Sequence, residues 1–159
     1  MTSEQRRIQP RKQPRQVRAE LLIRHLDGDR ATATLRRHED LPESLEDIMR
    51  VFVRTVIENH LDDPELLRIM IEHAPRSGEL LEKVTRQEWE LIGDLRDLFG
   101  RHPEVRVQDK DTAARLVTST VEMTVHQLIA APGSIDTTRL ENELVAMITG
   151  YLRTDTASE

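Results

Sequence analysis

Apolar residues recur every three or four positions through most of the chain, with charged residues filling the positions between them. That period is helical, and no stretch alternates strictly between apolar and polar as a half-buried strand would. Val17, Leu21, Leu22, His25 and Leu26 mark one side of a first helix. Gly28 weakens its middle, so it either bends there and runs on toward Arg37 or ends. Leu41-Pro42-Glu43 opens a second helix, since proline suits a first turn whose amides lack partners anyway. Its stripe is Leu45, Ile48, Met49, Phe52, Val56 and His60. Asp63-Pro64-Glu65 starts a short third helix with Leu66, Leu67, Met70, Ile71 and Ala74, stopped by Pro75. Ser77 caps a fourth, carrying Leu81, Val84, Glu88, Leu91, Ile92, Leu95 and Phe99, with Trp89 beside the stripe and Gly100 at the end. After a loop over 101–108, Asp109 or Asp111 starts a fifth helix that runs to Ala131. Pro132-Gly133 makes a turn, and Asp136 caps a sixth helix with Leu140, Leu144, Val145, Ile148, Tyr151 and Leu152. The pattern predicts an all-α domain of about six helices over residues 16–153. Residues 1–15, with Pro10 and Pro14, form a disordered basic arm, and 154–159 a disordered polar tail.

The stretches 111–131 and 136–152 are joined by a loop short enough to make them antiparallel neighbours. The first of them has more apolar and small surface than one core-facing stripe requires, including Ala113, Leu116, Val117, Thr120, Val121, Thr124, Val125, Leu128 and Ile129. Two readings fit that excess. The helix is central in a monomeric bundle, or two copies of the hairpin build a four-helix bundle across a two-fold axis. The second gives a candidate dimer interface of Leu116, Thr120, Val125, Leu128, Leu144, Ile148 and Tyr151.

Composition narrows the class. In 159 residues, 37% are hydrophobic, 33% charged and only four aromatic, which suits helices with charged outer faces rather than a β-sandwich. The absence of cysteine removes disulfides and thiolate chemistry and points to the cytoplasm. No apolar run approaches the roughly 20 residues of a membrane span. The net charge of −6 is uneven: residues 1–18 hold six Arg or Lys against Glu4, while the rest holds 17 bases and 28 acids. An acidic body is unsuited to lying along nucleic acid. Arg11, Lys12, Arg15 and Arg18 could make non-specific phosphate contacts, or simply belong to a solvated tail.

Nothing in the spacing of reactive residues predicts an enzyme. Gly-x-Ser-x-Gly, phosphate-loop and dinucleotide patterns are absent. Glu122 and His126 lie four apart on one helix face. The Glu-x-x-His spacing of carboxylate-bridged metal bundles is missing, as is His-Glu-x-x-His, so neither metal nor cofactor is expected. His73 and His126 lie on or beside apolar stripes, either orienting a polar group of a ligand or hydrogen-bonded within the core. Met49, Met70, Met123 and Met147 either line an adaptable pocket or fill a core, and Trp89, Phe52 and Phe99 share that ambiguity.

Several of these segments together resemble a known family. The run from His60 to His73, the long helix after it, Asp111-Thr112-Ala113-Ala114-Arg115-Leu116-Val117, Val121-Glu122-Met123-Thr124-Val125-His126 and the closing Leu140 to Leu152 look like the C-terminal regulatory domain of TetR/AcrR-type transcriptional repressors. The resemblance covers about residues 20–153 and rests on order and spacing rather than on an invariant signature. It implies a domain that binds a small ligand within each subunit and dimerises through its last two helices. The expected pocket is mostly apolar, formed by Phe52, Val56, Met70, His73, Trp89, Met123 and His126.

Gln13-Pro14-Arg15-Gln16-Val17-Arg18-Ala19 is similar to that family's basic lead-in to its DNA-binding head. A helix-turn-helix head should follow, with a recognition helix for the major groove. Residues 20–26 read instead as the connecting helix beyond it, which places a missing internal segment between about Ala19 and Leu22. A natural truncation, an engineered deletion and an error in the gene model all fit. The expected partners are a second copy of the chain and an unidentified small apolar ligand. DNA is a partner only if the head is supplied or through weak arm contacts. An alternative is a stand-alone adaptor that pairs with a full-length regulator and blocks its DNA binding.

Overall fold

A computed structural model describes residues 35, 41–61, 78–130, 133 and 135–155 of the chain. They form four α-helices: α1 (Leu45–Leu61), α2 (Gly78–Arg101), α3 (Lys110–Ala130) and α4 (Thr137–Leu152). The described residues contain no strand. Of the six expected helices, the third lies outside the described residues, and so does the first except for Leu35, which is helical and buried. The arm with Arg11, Lys12, Arg15 and Arg18, the proposed gap near Ala19, and Met70 and His73 also lie outside them.

Local chemistry sets the helix starts. At α1 the Ser44 hydroxyl accepts from the Asp47 N–H at 3.1 Å and donates to the Asp47 carboxylate at 2.7 Å. Ser44 is thus the cap, and Leu41-Pro42-Glu43 precedes the helix instead of opening it. A serine oxygen can satisfy a first-turn amide, which proline cannot do. Asp109, one of the two starts expected for α3, accepts from the Thr112 N–H at 2.9 Å and from its hydroxyl at 2.6 Å. At α4, Asp136 accepts from Thr138 and Arg139 N–H at 3.0 and 3.1 Å. Gly133, in the expected turn before α4, has φ +136°, a backbone region that side chains other than glycine's rarely occupy. Helix α2 runs one residue past the expected end at Gly100.

The closest pairings are α1 with α4 and α2 with α3, followed by α1 with α3. The hairpin partners α3 and α4 meet only over a short stretch, contrary to the close packing their short connection suggested. Each instead spends its main apolar stripe on another helix. Phe52, Phe99, Leu95, Val121 and Leu152 are fully buried in the shared core. Val53 and Ile57 extend the α1 stripe beyond the sequence reading, whereas Glu88 of α2 is exposed. No helix of the described residues is long and apolar enough to cross a membrane.

One corner is tied by polar contacts. Glu104, in the α2–α3 loop, accepts the Leu45 N–H at 3.0 Å on one oxygen and the Arg153 Nε–H at 3.0 Å on the other. These bonds, the Leu45 amide first, hold its carboxyl below the usual glutamate range. The Arg106 and Val107 N–H groups both donate to the Leu152 carbonyl, at 2.8 and 3.3 Å, satisfying an acceptor that the end of α4 would leave open. Lys110 Nζ donates to the Val107 and Val105 carbonyls. His102 Nδ1 accepts from the Glu104 N–H at 3.2 Å, which leaves Nε2 to donate to the Glu43 carbonyl at 3.1 Å.

Candidate functional site

Two places in this framework bring together residues of functional interest. The first lies at the seam of α1 and α3. The α1 row Phe52, Val56, His60 has its members four apart, hence on one side of the helix. Phe52 and Val56 are buried, and His60 ends the row at 4% exposure. On α3, Glu122 and His126 are again four apart and half-buried.

His60 Nδ1 lies 2.7 Å from the Val56 carbonyl. A carbonyl only accepts, so Nδ1 carries the hydrogen, an assignment that follows from the bonding network. The other ring nitrogen, Nε2, faces α3, 3.1 Å from His126 Nδ1 and 3.4 Å from Glu122 Oε2. The two rings meet edge to face, with centroids 4.7 Å apart and planes at 82°. One ligand atom from each of the three residues falls within 4.8 Å of the others. Such a group can share protons through hydrogen bonds or present nitrogen and oxygen lone pairs to a cation. Glu122 and His126 alone gave no metal spacing in the sequence. The missing member comes from a different helix, 66 residues before His126.

The second place is the outward surface of the last two helices. Leu116 is 50% exposed, Met123 60% and Met147 52%, with Ser119 exposed and Thr120 half-buried beside Leu116 and Met123 on α3. On α4, Ala146 and Gly150 are also exposed, which lets a partner backbone approach closely. Large apolar side chains this open stay in contact with water unless another surface covers them.

This geometry redistributes the residues selected from the sequence. Val125, Leu144 and Ile148, expected at an interface, are buried in the subunit's own core at 0–3% exposure and have no surface left for a partner. Leu116 and Leu128 remain on the surface, while Thr120 and Tyr151 are half-buried. Among the expected pocket residues, Phe52, Val56 and His126 lie at or beside the α1–α3 seam. Trp89 is 52% exposed, with the Arg115 guanidinium 4.4 Å from its ring centroid, and Met123 faces outward. Neither of these two is enclosed by the described residues. The excess apolar surface on α3 is real, but its outward part is the 116–123 edge rather than the whole stripe.

A third feature is structural. Glu141 of α4 is nearly buried and accepts from Arg54 Nε and Nη2 at 3.0 and 2.8 Å, and from Arg50 Nη1 at 3.2 Å. The fork from Arg54 chiefly, against the opposing effect of burial, and then Arg50 hold its carboxyl below the usual glutamate range. Arg50 also bonds Asn142 at 2.7 Å and Glu46 at 3.1 Å. This network fastens α1 to α4.

Comparison with protein families shows that the family described as "Tetracyclin repressor-like, C-terminal domain" fits residues 44–152, more than half of the chain. Comparison with curated proteins and with solved structures returned no match.

Proposed function

The chain belongs to the tetracyclin repressor-like C-terminal domain family, and from that premise we propose that it is the ligand-sensing and dimerising portion of a TetR-type transcriptional regulator acting in the cytoplasm. Its role is binding, not catalysis. The observation that carries this reading is the outward apolar surface of α3 and α4, with Leu116, Met123 and Met147 each at least half exposed. A second copy burying that surface removes it from water, and a two-fold axis makes the same patch serve both subunits. Ligand binding within each subunit falls at the α1–α3 seam, where the apolar row through Phe52 and Val56 ends in the polar group around His60. A mostly apolar wall with a few convergent polar groups is the usual make-up of a small-molecule site. The same dimerising surface would let the chain act as an adaptor that pairs with a full-length regulator and withholds it from DNA.

Light scattering of the purified chain at micromolar concentration tests the reading. The expected result is twice the chain mass, returning to a single chain mass with unchanged helical circular dichroism in Leu116→Glu/Met123→Glu. A charge inside an apolar interface stays unpaired and desolvated, whereas on an open surface it is harmless. A folded monomer for the unaltered chain would overturn the dimer. Co-expression with a tagged full-length regulator, followed by mass measurement of the purified complex, separates self-pairing from the adaptor role.

A further inference from the structure

We propose that His60, Glu122 and His126 form a binding site for a divalent transition-metal ion of the zinc class, held between α1 and α3 with a coordination position left open. The inference stands on the side-chain geometry alone and holds whether or not the chain regulates transcription.

Three observations support it. The first is the donor set: two imidazoles and a carboxylate suit a borderline ion such as Zn²⁺ and are a poor set for Mg²⁺, which prefers oxygen ligands and retains its waters. The second is distance. A tetrahedral ion with bonds of about 2.0–2.1 Å holds neighbouring ligand atoms about 3.3 Å apart. His60 Nε2 lies 3.1 Å from His126 Nδ1 and 3.4 Å from Glu122 Oε2, and the whole set spans no more than 4.8 Å. Small side-chain rotations bring all three onto one ion. The third is orientation. The Val56 carbonyl takes the Nδ1 hydrogen of His60 at 2.7 Å, which fixes the ring and leaves the Nε2 lone pair directed at the other two groups. A metal-binding histidine commonly has its other ring nitrogen held by a carbonyl or carboxylate in this way.

Three protein ligands leave a tetrahedral ion with one further position, for water or a donor atom from a small molecule. Glu122 and His126 are half-buried, so that position is reachable from solvent while His60 anchors the ion from inside. The ion would tie the last turn of α1 to the second half of α3, and its binding would stabilise the folded chain by mass action.

Titration of the metal-free full chain with Zn²⁺ in a calorimeter, with Mg²⁺ as comparison, tests the site. One Zn²⁺ per chain is expected, with a rise in melting temperature that saturates at the same ratio and no response to Mg²⁺ at equal concentration. Co²⁺ in place of Zn²⁺ should give the visible absorption of a four- or five-coordinate ion. Glu122→Gln and His126→Gln are the informative variants, because both positions are half-buried and tolerate a polar replacement better than the interior His60. Each should weaken Zn²⁺ binding at least tenfold and abolish the Co²⁺ bands. His102→Gln, which alters a histidine bonded to Glu43 and Glu104, should leave both unchanged. Absence of Zn²⁺ binding by the unaltered chain, or equal binding by both site variants, would overturn the proposal.

Discussion

The α1–α4 seam and the α1–α3 seam share a helix but solve opposite electrostatic problems. Between α1 and α4, the nearly buried Glu141 carboxylate is answered by two guanidiniums, one of them a two-pronged fork. Positive and negative charge meet there in fixed geometry, and that chemistry is complete. Between α1 and α3, two imidazoles and a carboxylate converge within 4.8 Å. Three groups that can share protons or present lone pairs to a cation face one another there. A seam of the first kind holds helices together; a seam of the second kind can report on what it binds.

The largest expected break in this contrast is Glu141→Ala. It removes the three bonds to Glu141 and leaves Arg54 and Arg50 without their shared acceptor, with Arg50 still bonded to Asn142 and Glu46. Charge-assisted bonds of this type are worth about 1.5–3 kcal/mol, but both arginines stay partly in water, so about 2 kcal/mol is expected. For a chain of this size that is a fall of roughly 4–8 °C in melting temperature by calorimetry.

Next comes the Asp136 cap of α4, whose loss in Asp136→Ala should cost about 1 kcal/mol, read as a shift in the urea midpoint with unchanged slope. Acid sharpens the comparison further. Glu141 and Glu104 both have lowered folded-state values, so they bind fewer protons when folded than when unfolded. Their contribution is complete above the ordinary glutamate value of 4.5 and is lost as pH falls below it. Stability measured from pH 6 to pH 3 should therefore decline, less steeply in Glu141→Gln than in the unaltered chain. The smallest effect is expected at Thr118, whose hydroxyl is buried without a hydrogen-bond partner among the described residues. Thr118→Val should stabilise by about 1 kcal/mol or less, seen as a slightly higher melting temperature, since it removes a desolvated polar group at nearly constant volume.

What was legible in the sequence was what is local. Asp136 and Asp109 cap the helices that follow them because capping needs only the next two or three residues. The rows Leu45 to His60 and Leu91 to Phe99 were readable because their period matches the helix. The opening of α1 was misread because Pro42 is a strong sequence signal, while the Ser44–Asp47 exchange that sets the cap is a weaker one. Periodicity also could not tell which of two apolar faces on α3 and α4 turns inward. It assigned Val125, Leu144 and Ile148 to a partner, whereas these three are buried and Leu116, Met123 and Met147 are exposed. His60 was visible as the end of a stripe and His126 as the neighbour of Glu122. Their meeting depends on how α1 crosses α3, which no spacing within either helix encodes.

The Glu104 contact reaches beyond stability. A single carboxylate grips the first residue of α1 with one oxygen and Arg153, just past α4, with the other. The start of α1 and the end of α4 are thus held at one corner, as a handle meets a cup on one side. The two helix ends should therefore open together rather than separately when the domain loosens locally.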